Sequence, residues 1–444
     1  MENIEPRPED LAVESLGEPK IPSPLGLSMV YGDDLANYVE DGKSVLVLHD
    51  RTEIVNRVKE GKPLPAFEMA GPRPKIYFDP SKTRAAIVTC GGLCPGINNV
   101  IRTLVMQLHY GYGVKTISGI KYGFQGFIPR YGHEPIKLEP ERVNDIHEKG
   151  GSILSSSRGE QDVGEIVDCL ERMNISLLFT IGGDGTLRGA DAIARVVKER
   201  GLKISVIGVP KTVDNDIAFV DKTFGLETAF SVAAEAIKSA HTEAIGAPNG
   251  IGIVKLMGRM SGFIAANAAL AMSEVNFVLI PEVPFGLEGP AGLHALLEER
   301  LRRRGHAVIA VAEGAGQEYV SDPSGRKDDS GNVVLGDIGF FLKNAIKKYF
   351  KKTDLSVNIK YIDPSYMVRS VPANAHDSIF CMQLAQNAAH AGMAGKTGII
   401  VGNWNGLFTH VPLGVATSLR KQLSPEDPLW LAVLEGTGQP TRIG

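Results

Sequence analysis

Cysteine is scarce in this chain: four in 444 residues, at positions 90, 94, 169 and 381. Only Cys90 and Cys94 are close together, and one strand-end plus one loop position does not make a zinc site. All four are expected as free thiols of a reducing compartment. No apolar run approaches the ~18 residues of a membrane span, so no membrane partner is expected. Long basic runs are also missing, and with a formal net charge of −4 nothing points to nucleic acid. A phosphorylated substrate stays open, because it needs only local positive charge. The amino-terminal Met1–Asp10 stretch is acidic and does not read as a signal peptide. The final Arg442-Ile443-Gly444 does not match the Ser-Lys-Leu address. A cytoplasmic location is expected. No repeat of solenoid length is visible, and 444 residues imply more than one lobe.

What is present is a set of glycine-rich and acidic loops at strand ends, centred on Thr180–Asp216. Ser176–Ile181 is an apolar run that predicts a buried strand, leading into Gly182-Gly183-Asp184-Gly185-Thr186. Leu187, Ala190, Ala194 and Val197 recur at helical spacing, and Gly201 stops the helix. Ile204–Val209 predicts a second strand, ending in Pro210-Lys211-Thr212-Val213-Asp214-Asn215-Asp216. This is a βαβ unit with polar loops at the carboxyl ends of its strands, where open α/β sheets bind ligands. The first loop suits a phosphate at a helix N-terminus. Asp184 would repel that phosphate unless a Mg²⁺ lies between them. In the second loop a carboxylate can accept a hydroxyl proton while Lys211 and Thr212 hold a phosphoryl group. Either loop alone is equally readable as a turn or a helix cap; both on one βαβ unit favour a site.

A similar strand, glycine loop and helix come earlier, in Ala85–Thr89, Cys90–Asn99 and Val100–Leu108. Strand-like runs at Val114–Gly119, Ile251–Leu256, Phe277–Ile280, His306–Val311 and Gly398–Val401 continue the α/β pattern, with helices over Thr228–His241 and Asn374–His390. Residues up to Ser81 differ, with frequent prolines and broken periodicity; Ser44–His49 could form a strand and Pro72–Pro80 an extended linker. Gly395-Lys396-Thr397 resembles the end of a P-loop, but His390 stands where the required glycine should be.

Gly-Gly-Asp-Gly-Thr followed by Pro-Lys-Thr-Val-Asp-Asn-Asp resembles the 6-phosphofructokinase family. The first motif is shared with NAD kinases and diacylglycerol-type lipid kinases; the second sharpens the likeness, and Met257-Gly258-Arg259 adds to it. The resemblance covers roughly Thr83 to Gly414. It implies an α/β fold of two Rossmann-like three-layer lobes with parallel-rich sheets, plus an amino-terminal extension over 1–81. The nucleotide lobe would span 82–227 and the sugar-phosphate lobe 228–370. The chain would return to the first lobe over 371–421 and end in an appendage over 422–444.

The implied reaction is transfer of the γ-phosphoryl group of Mg-ATP to the 1-hydroxyl of fructose 6-phosphate in glycolysis. By this resemblance Gly91, Gly92, Tyr122 (with Gly123), Arg158, Gly183, Asp184, Gly185 and Thr186 hold the nucleotide, with Asp184 near Mg²⁺. Asp214 is the base, and Lys211, Thr212 and Arg158 stabilise the transferring group. Thr212, Asp214, Asp216, Met257, Gly258, Arg259, Glu313, Tyr366 and Arg369 meet the sugar phosphate. A homodimer or homotetramer is implied. Family members that use pyrophosphate usually carry Asp in place of Gly185, where it would block and repel a nucleotide α-phosphate. Gly185 with Lys211 matches the long-chain ATP branch of plants and trypanosomatids. Gly250 is a departure, because short bacterial members have an arginine there that reaches a neighbouring subunit's substrate. A pyrophosphate-dependent enzyme and a non-catalytic sugar-phosphate-binding subunit remain as alternatives.

Overall fold

The computed structural model describes residues 6–320, 325–327 and 333–444. The chain divides into two compact units. One holds the chain up to Thr212 together with Ile217–Phe224 and Pro372–Arg420; the other holds Val213–Asp216, Gly225–Val371 and Lys421–Gly444.

The first unit is built on a nine-stranded sheet. Five neighbouring strands run parallel, in the order Ile399–Trp404, Ser205–Pro210, Leu177–Gly182, Arg84–Thr89, Thr116–Ile120. Antiparallel strands flank them: Leu407–Pro412, Ala66–Met69 and Ser44–Leu46 on one side, Ile136–Lys137 on the other. The parallel strands are buried on both faces, as their continuous apolar runs require. Ala86, Val88, Leu178 and Val206 form one core with Ile166, Leu170, Leu187 and Ile193, from the helices Val163–Arg172 and Asp184–Glu199. Leu177 and Phe179 point to the opposite face, against the helix Ala375–Met393.

From Arg84–Thr89 the chain passes to Thr116–Ile120 on one side, then crosses to Leu177–Gly182 on the other. This reversal is the topological switch point, and it opens a crevice at the carboxyl ends of the two strands.

The second unit has a four-stranded, all-parallel sheet ordered Phe277–Leu279, His306–Ala312, Gly250–Leu256, Asn358–Ile362. Ile251, Ile253, Ile309 and Val311 pack with Leu293, Leu297, Leu342 and Ile346, from the helices Leu293–Arg304 and Ile338–Phe350. The helix Leu226–Ile245 covers the other face so closely that a Cβ on Gly250 would lie 2.0 Å from the Ala244 carbonyl oxygen. An arginine at this place has no room on this backbone.

The amino-terminal extension is tied into the first unit. Its strands Ser44–Leu46 and Ala66–Met69 extend the large sheet, Glu14–Ser15 pairs with Lys396–Thr397, and Ile21–Pro22 with Lys75–Ile76. The Pro72–Pro80 stretch, expected only as a linker, thus contains a short strand. Residues 422–444, expected as an appendage, supply the helix Pro428–Thr437 to the second unit. There Gln439 bonds both the N–H and the carbonyl of Val278, at 2.6 and 3.3 Å, and Ile443 enters the core. All four cysteines are free. Among the described residues no helix is long and apolar enough to cross a membrane.

Candidate active site

In the first unit the switch point gathers three loops. Gly91 donates its N–H to the Ser157 carbonyl at 3.1 Å, and its own carbonyl accepts from Ser156 Oγ at 2.6 Å. The Lys211 ammonium, on a residue only 5% exposed, donates to the Gly92 carbonyl at 2.6 Å. Lys211 N–H bonds the Gly182 carbonyl at 2.9 Å, which holds the end of one parallel strand against the start of the Gly183–Thr186 loop. Gly123 closes the group, since a Cβ there would lie 2.7 Å from Ser157 Oγ and 3.3 Å from Cys90 Sγ. Tyr122, half-exposed, is fixed by its N–H to the Leu154 carbonyl at 2.9 Å and by its ring against His133. Arg158 is exposed, one residue beyond the backbone tied to Gly91. Cys90 is fully buried, which pushes its thiol up to about 12 and keeps it unreactive.

Gly183 caps the helix Asp184–Glu199, so Asp184, Gly185 and Thr186 form its first turn, where the Thr186 N–H bonds the Gly183 carbonyl at 2.9 Å and the first N–H groups have no partner within the helix. A Cβ added at Gly185 would meet nothing within 4 Å, so space is open above that turn. The Asp184 carboxylate accepts from Arg188 Nε through both oxygens at 3.1 Å, and from Arg420 at 3.4 Å. The Arg188 contact has the spacing of one helical turn and is legible in the sequence; Arg420, from the far end of the unit, is not. Among the described residues no three His, Cys, Asp or Glu side chains cluster to hold a metal ion. A single carboxylate beside open space suits Mg²⁺, which keeps several waters and takes much of its ligation from substrate phosphates.

In the second unit the candidate residues again stand at carboxyl ends of neighbouring parallel strands. Leu256 and Ala312 are paired in register, so Met257–Arg259 and Glu313 emerge side by side. Glu313 N–H bonds the Leu256 carbonyl at 2.8 Å, and Glu313 Oε1 accepts the Arg259 N–H at 3.1 Å. Arg259 sits at φ +46°, an uncommon conformation for a residue with a side chain, and Glu313 holds it there. The strand Asn358–Ile362 lies on the other side and leads into the helix Ser365–Ser370. Lys255 Nζ pairs with Asp363 at 2.9 Å and Asp337 at 3.4 Å, anchoring the turn that begins this helix. Burial lowers the lysine's pKa, but the Asp363 hydrogen bond and charge outweigh it and hold the ammonium well above its ordinary value. Tyr366, 76% exposed, and Arg369 stack on each other, with the guanidinium 4.7 Å from the ring centre.

Asp214 and Asp216 flank Asn215, which is buried at φ +54°. The Asp214 carbonyl accepts from Ser261 Oγ at 2.7 Å, and the Asp216 carbonyl from Lys421 N–H at 3.1 Å. Thr212, in the first unit, accepts Thr223 Oγ1 on its carbonyl at 2.7 Å. The sequence did not reveal Ser156, Ser261 or Arg420; their contacts come from residues far apart in the chain.

A family model described as phosphofructokinase matches residues 84–392. The chain is 48% identical to a protein of Borreliella burgdorferi named ATP-dependent 6-phosphofructokinase, covering 97% of each. It is 47% identical to one of that name from Amycolatopsis methanolica, over 98% of this chain and 96% of that protein. It is 46% identical to ATP-dependent 6-phosphofructokinase 7 of Arabidopsis thaliana, over 96% and 86%. Among solved structures, the pyrophosphate-dependent phosphofructokinase of Marinobacter aquaeolei aligns with a TM-score of 0.66 at 19% identity, covering 80% of this chain and 91% of that one. At that identity the likeness shows the fold alone. By the family match and these near full-length relatives, the chain belongs to the phosphofructokinase family.

Proposed function

We propose that this chain is an ATP-dependent 6-phosphofructokinase. It transfers the γ-phosphoryl group of ATP to the 1-hydroxyl of fructose 6-phosphate, giving fructose 1,6-bisphosphate and ADP. The carrying observation is the 46–48% identity, over almost the whole chain, to proteins named for that activity. The open space above Gly185 supports the choice of nucleotide, because an α-phosphate needs that room.

In this reading residues 82–227 hold the nucleotide and 228–370 the sugar phosphate. ATP phosphates lie over Gly91, Gly92 and the Gly183–Thr186 turn, near Tyr122 and Arg158. Asp184 would hold Mg²⁺, which neutralises phosphate charge, and Arg188 and Arg420 would yield the carboxylate. Arg259, Tyr366 and Arg369 hold the sugar phosphate, with Met257, Gly258, Asp216 and Glu313 around the sugar. Asp214 takes the proton of the 1-hydroxyl as its oxygen bonds the γ-phosphorus and the bond to ADP breaks. Lys211, Thr212 and Arg158 stabilise charge on the transferring group. Such a reaction relies on positioning and electrostatics. The protein works in the cytoplasm as a homodimer or homotetramer.

The test offers fructose 6-phosphate and Mg²⁺ with ATP or pyrophosphate separately. Product with ATP alone is expected. Product with pyrophosphate alone removes the donor assignment, and Lys211, a residue pyrophosphate enzymes also carry, would then outweigh Gly185. No product with either donor leaves a non-catalytic sugar-phosphate-binding subunit.

A further inference from the structure

Ser261 carries no assigned role, yet it is 1% exposed and its hydroxyl reaches two backbone carbonyls, Asp214 at 2.7 Å and Gly258 at 3.0 Å. A serine hydroxyl has one proton to donate. The Gly258 carbonyl already receives the Ser261 backbone N–H at 2.8 Å. The proton is therefore best used on Asp214, the shorter contact. This joins the Asp214 backbone to the Met257–Arg259 loop, which is otherwise 43 residues away in the chain.

The residues on either side are fixed independently. Gly262 N–H is held at 2.9 Å by Glu282 Oε1, which also accepts Leu423 N–H at 2.9 Å. The Met260 carbonyl accepts from Gln422 at 2.9 Å. Ser261 is thus a fixed donor, and the Asp214 backbone is located by it. Arg259 has its own anchor in Glu313 and does not depend on that hydroxyl.

We infer that Ser261 is a positioning residue for phosphoryl transfer: its hydroxyl sets the Asp214 carboxylate against the sugar that the Met257–Arg259 loop presents. This rests on the base role proposed for Asp214. Misplacement of a reacting group by about 1 Å costs on the order of 100-fold in rate. The experiment compares S261A with the parent, then repeats the substitution in the D214S background. With the parent, S261A should lower kcat about 10- to 100-fold and leave KM for fructose 6-phosphate within about threefold. In D214S the same substitution should cost less than about twofold, because paired groups are not additive. S261T, which restores the donor, should recover most of kcat. Should S261A fold poorly, S261C has similar size and only a weak donor, and the same losses are expected of it. An unchanged kcat, a loss confined to KM, or an equal loss in the D214S background each overturns the inference. A parent without activity removes the proposed function instead.

Discussion

Asp214 is the residue on which the proposed chemistry turns. A general base contributes on the order of 10² to 10⁴ in rate. Asp214→Ser should lose at least that much in turnover with little change in substrate binding, and steady-state kinetics giving kcat within tenfold of the parent would sink the assignment. Gly185 is the second decisive position. A carboxylate there would enter space now open, so Gly185→Asp should fold with an unchanged melting temperature. It would place a second negative charge one residue from Asp184, where the nucleotide phosphates are proposed to lie. Turnover with ATP should fall on the order of 100-fold, the scale of losing one well-placed electrostatic contact. Wild-type turnover with ATP would refute the steric basis of donor choice. Both residues were legible in the sequence because each sits in a contiguous motif at a strand end.

At the scale of elements, carboxyl ends of neighbouring parallel strands bring the candidate residues together. A parallel sheet needs crossover connections, so its strand-end loops come from distant stretches but emerge on one edge. The Arg259–Glu313 pair shows how tightly they meet. A Cβ on Gly314 would lie 1.8 Å from the Arg259 carbonyl oxygen, inside any tolerable contact. Gly314→Ala must therefore push the Arg259 loop out of place. KM for fructose 6-phosphate should rise at least about tenfold, a cost of about 1.4 kcal/mol, while KM for ATP stays near the parent value. Equal KM values for the sugar phosphate in the two proteins would show the loop free to relax. Asn358–Ile362, Leu407–Pro412 and Ala66–Met69 were not read from the sequence, but the strands expected from apolar runs were legible to within two residues at most ends. The helix Ser365–Ser370 was not: Tyr366 and Arg369 were found only through the family likeness, since a helix of six residues leaves no periodic signal.

For the whole molecule, the docking of the amino-terminal extension gives a prediction about acid. Glu68 of that extension bonds His410 at 3.0 Å and Lys396 at 2.9 Å, and pairs with the buried Arg73 at 3.1 Å. Burial raises its pKa, but the contacts with His410 and Lys396 outweigh it and bring it down to about 2 from 4.5. A carboxylate with a depressed pKa stabilises the fold fully above 4.5, and that contribution is lost as pH falls toward 2. His410 and His390 are held below their ordinary value by burial and by the Arg73 charge, His390 at about 4. The unfolded chain takes up those protons first, so stability also declines as pH falls from 6.5 to 4. Both effects have the same sign. The melting temperature should drop steadily between pH 7 and 4, and in Glu68→Gln the part below 4.5 should flatten. A Glu68→Gln profile that parallels the parent down to pH 3 would show that the cluster does not govern acid stability.

Local chemistry in the sequence determined the βαβ alternation, the glycine loops, the acidic turn after Pro210 and the family likeness. Apolar runs, helical spacing and turn residues act over a few neighbours, and so can be read in order. The tertiary structure alone decided that the amino-terminal extension completes the large sheet and that the last residues build the second unit's core. It also decided that Asp184 is held by Arg188 and Arg420, and that Ser261 reaches Asp214. Those contacts depend on which strand ends become neighbours. Sheet order sets this through burial of both faces and the crossover paths, and no spacing along the chain encodes it.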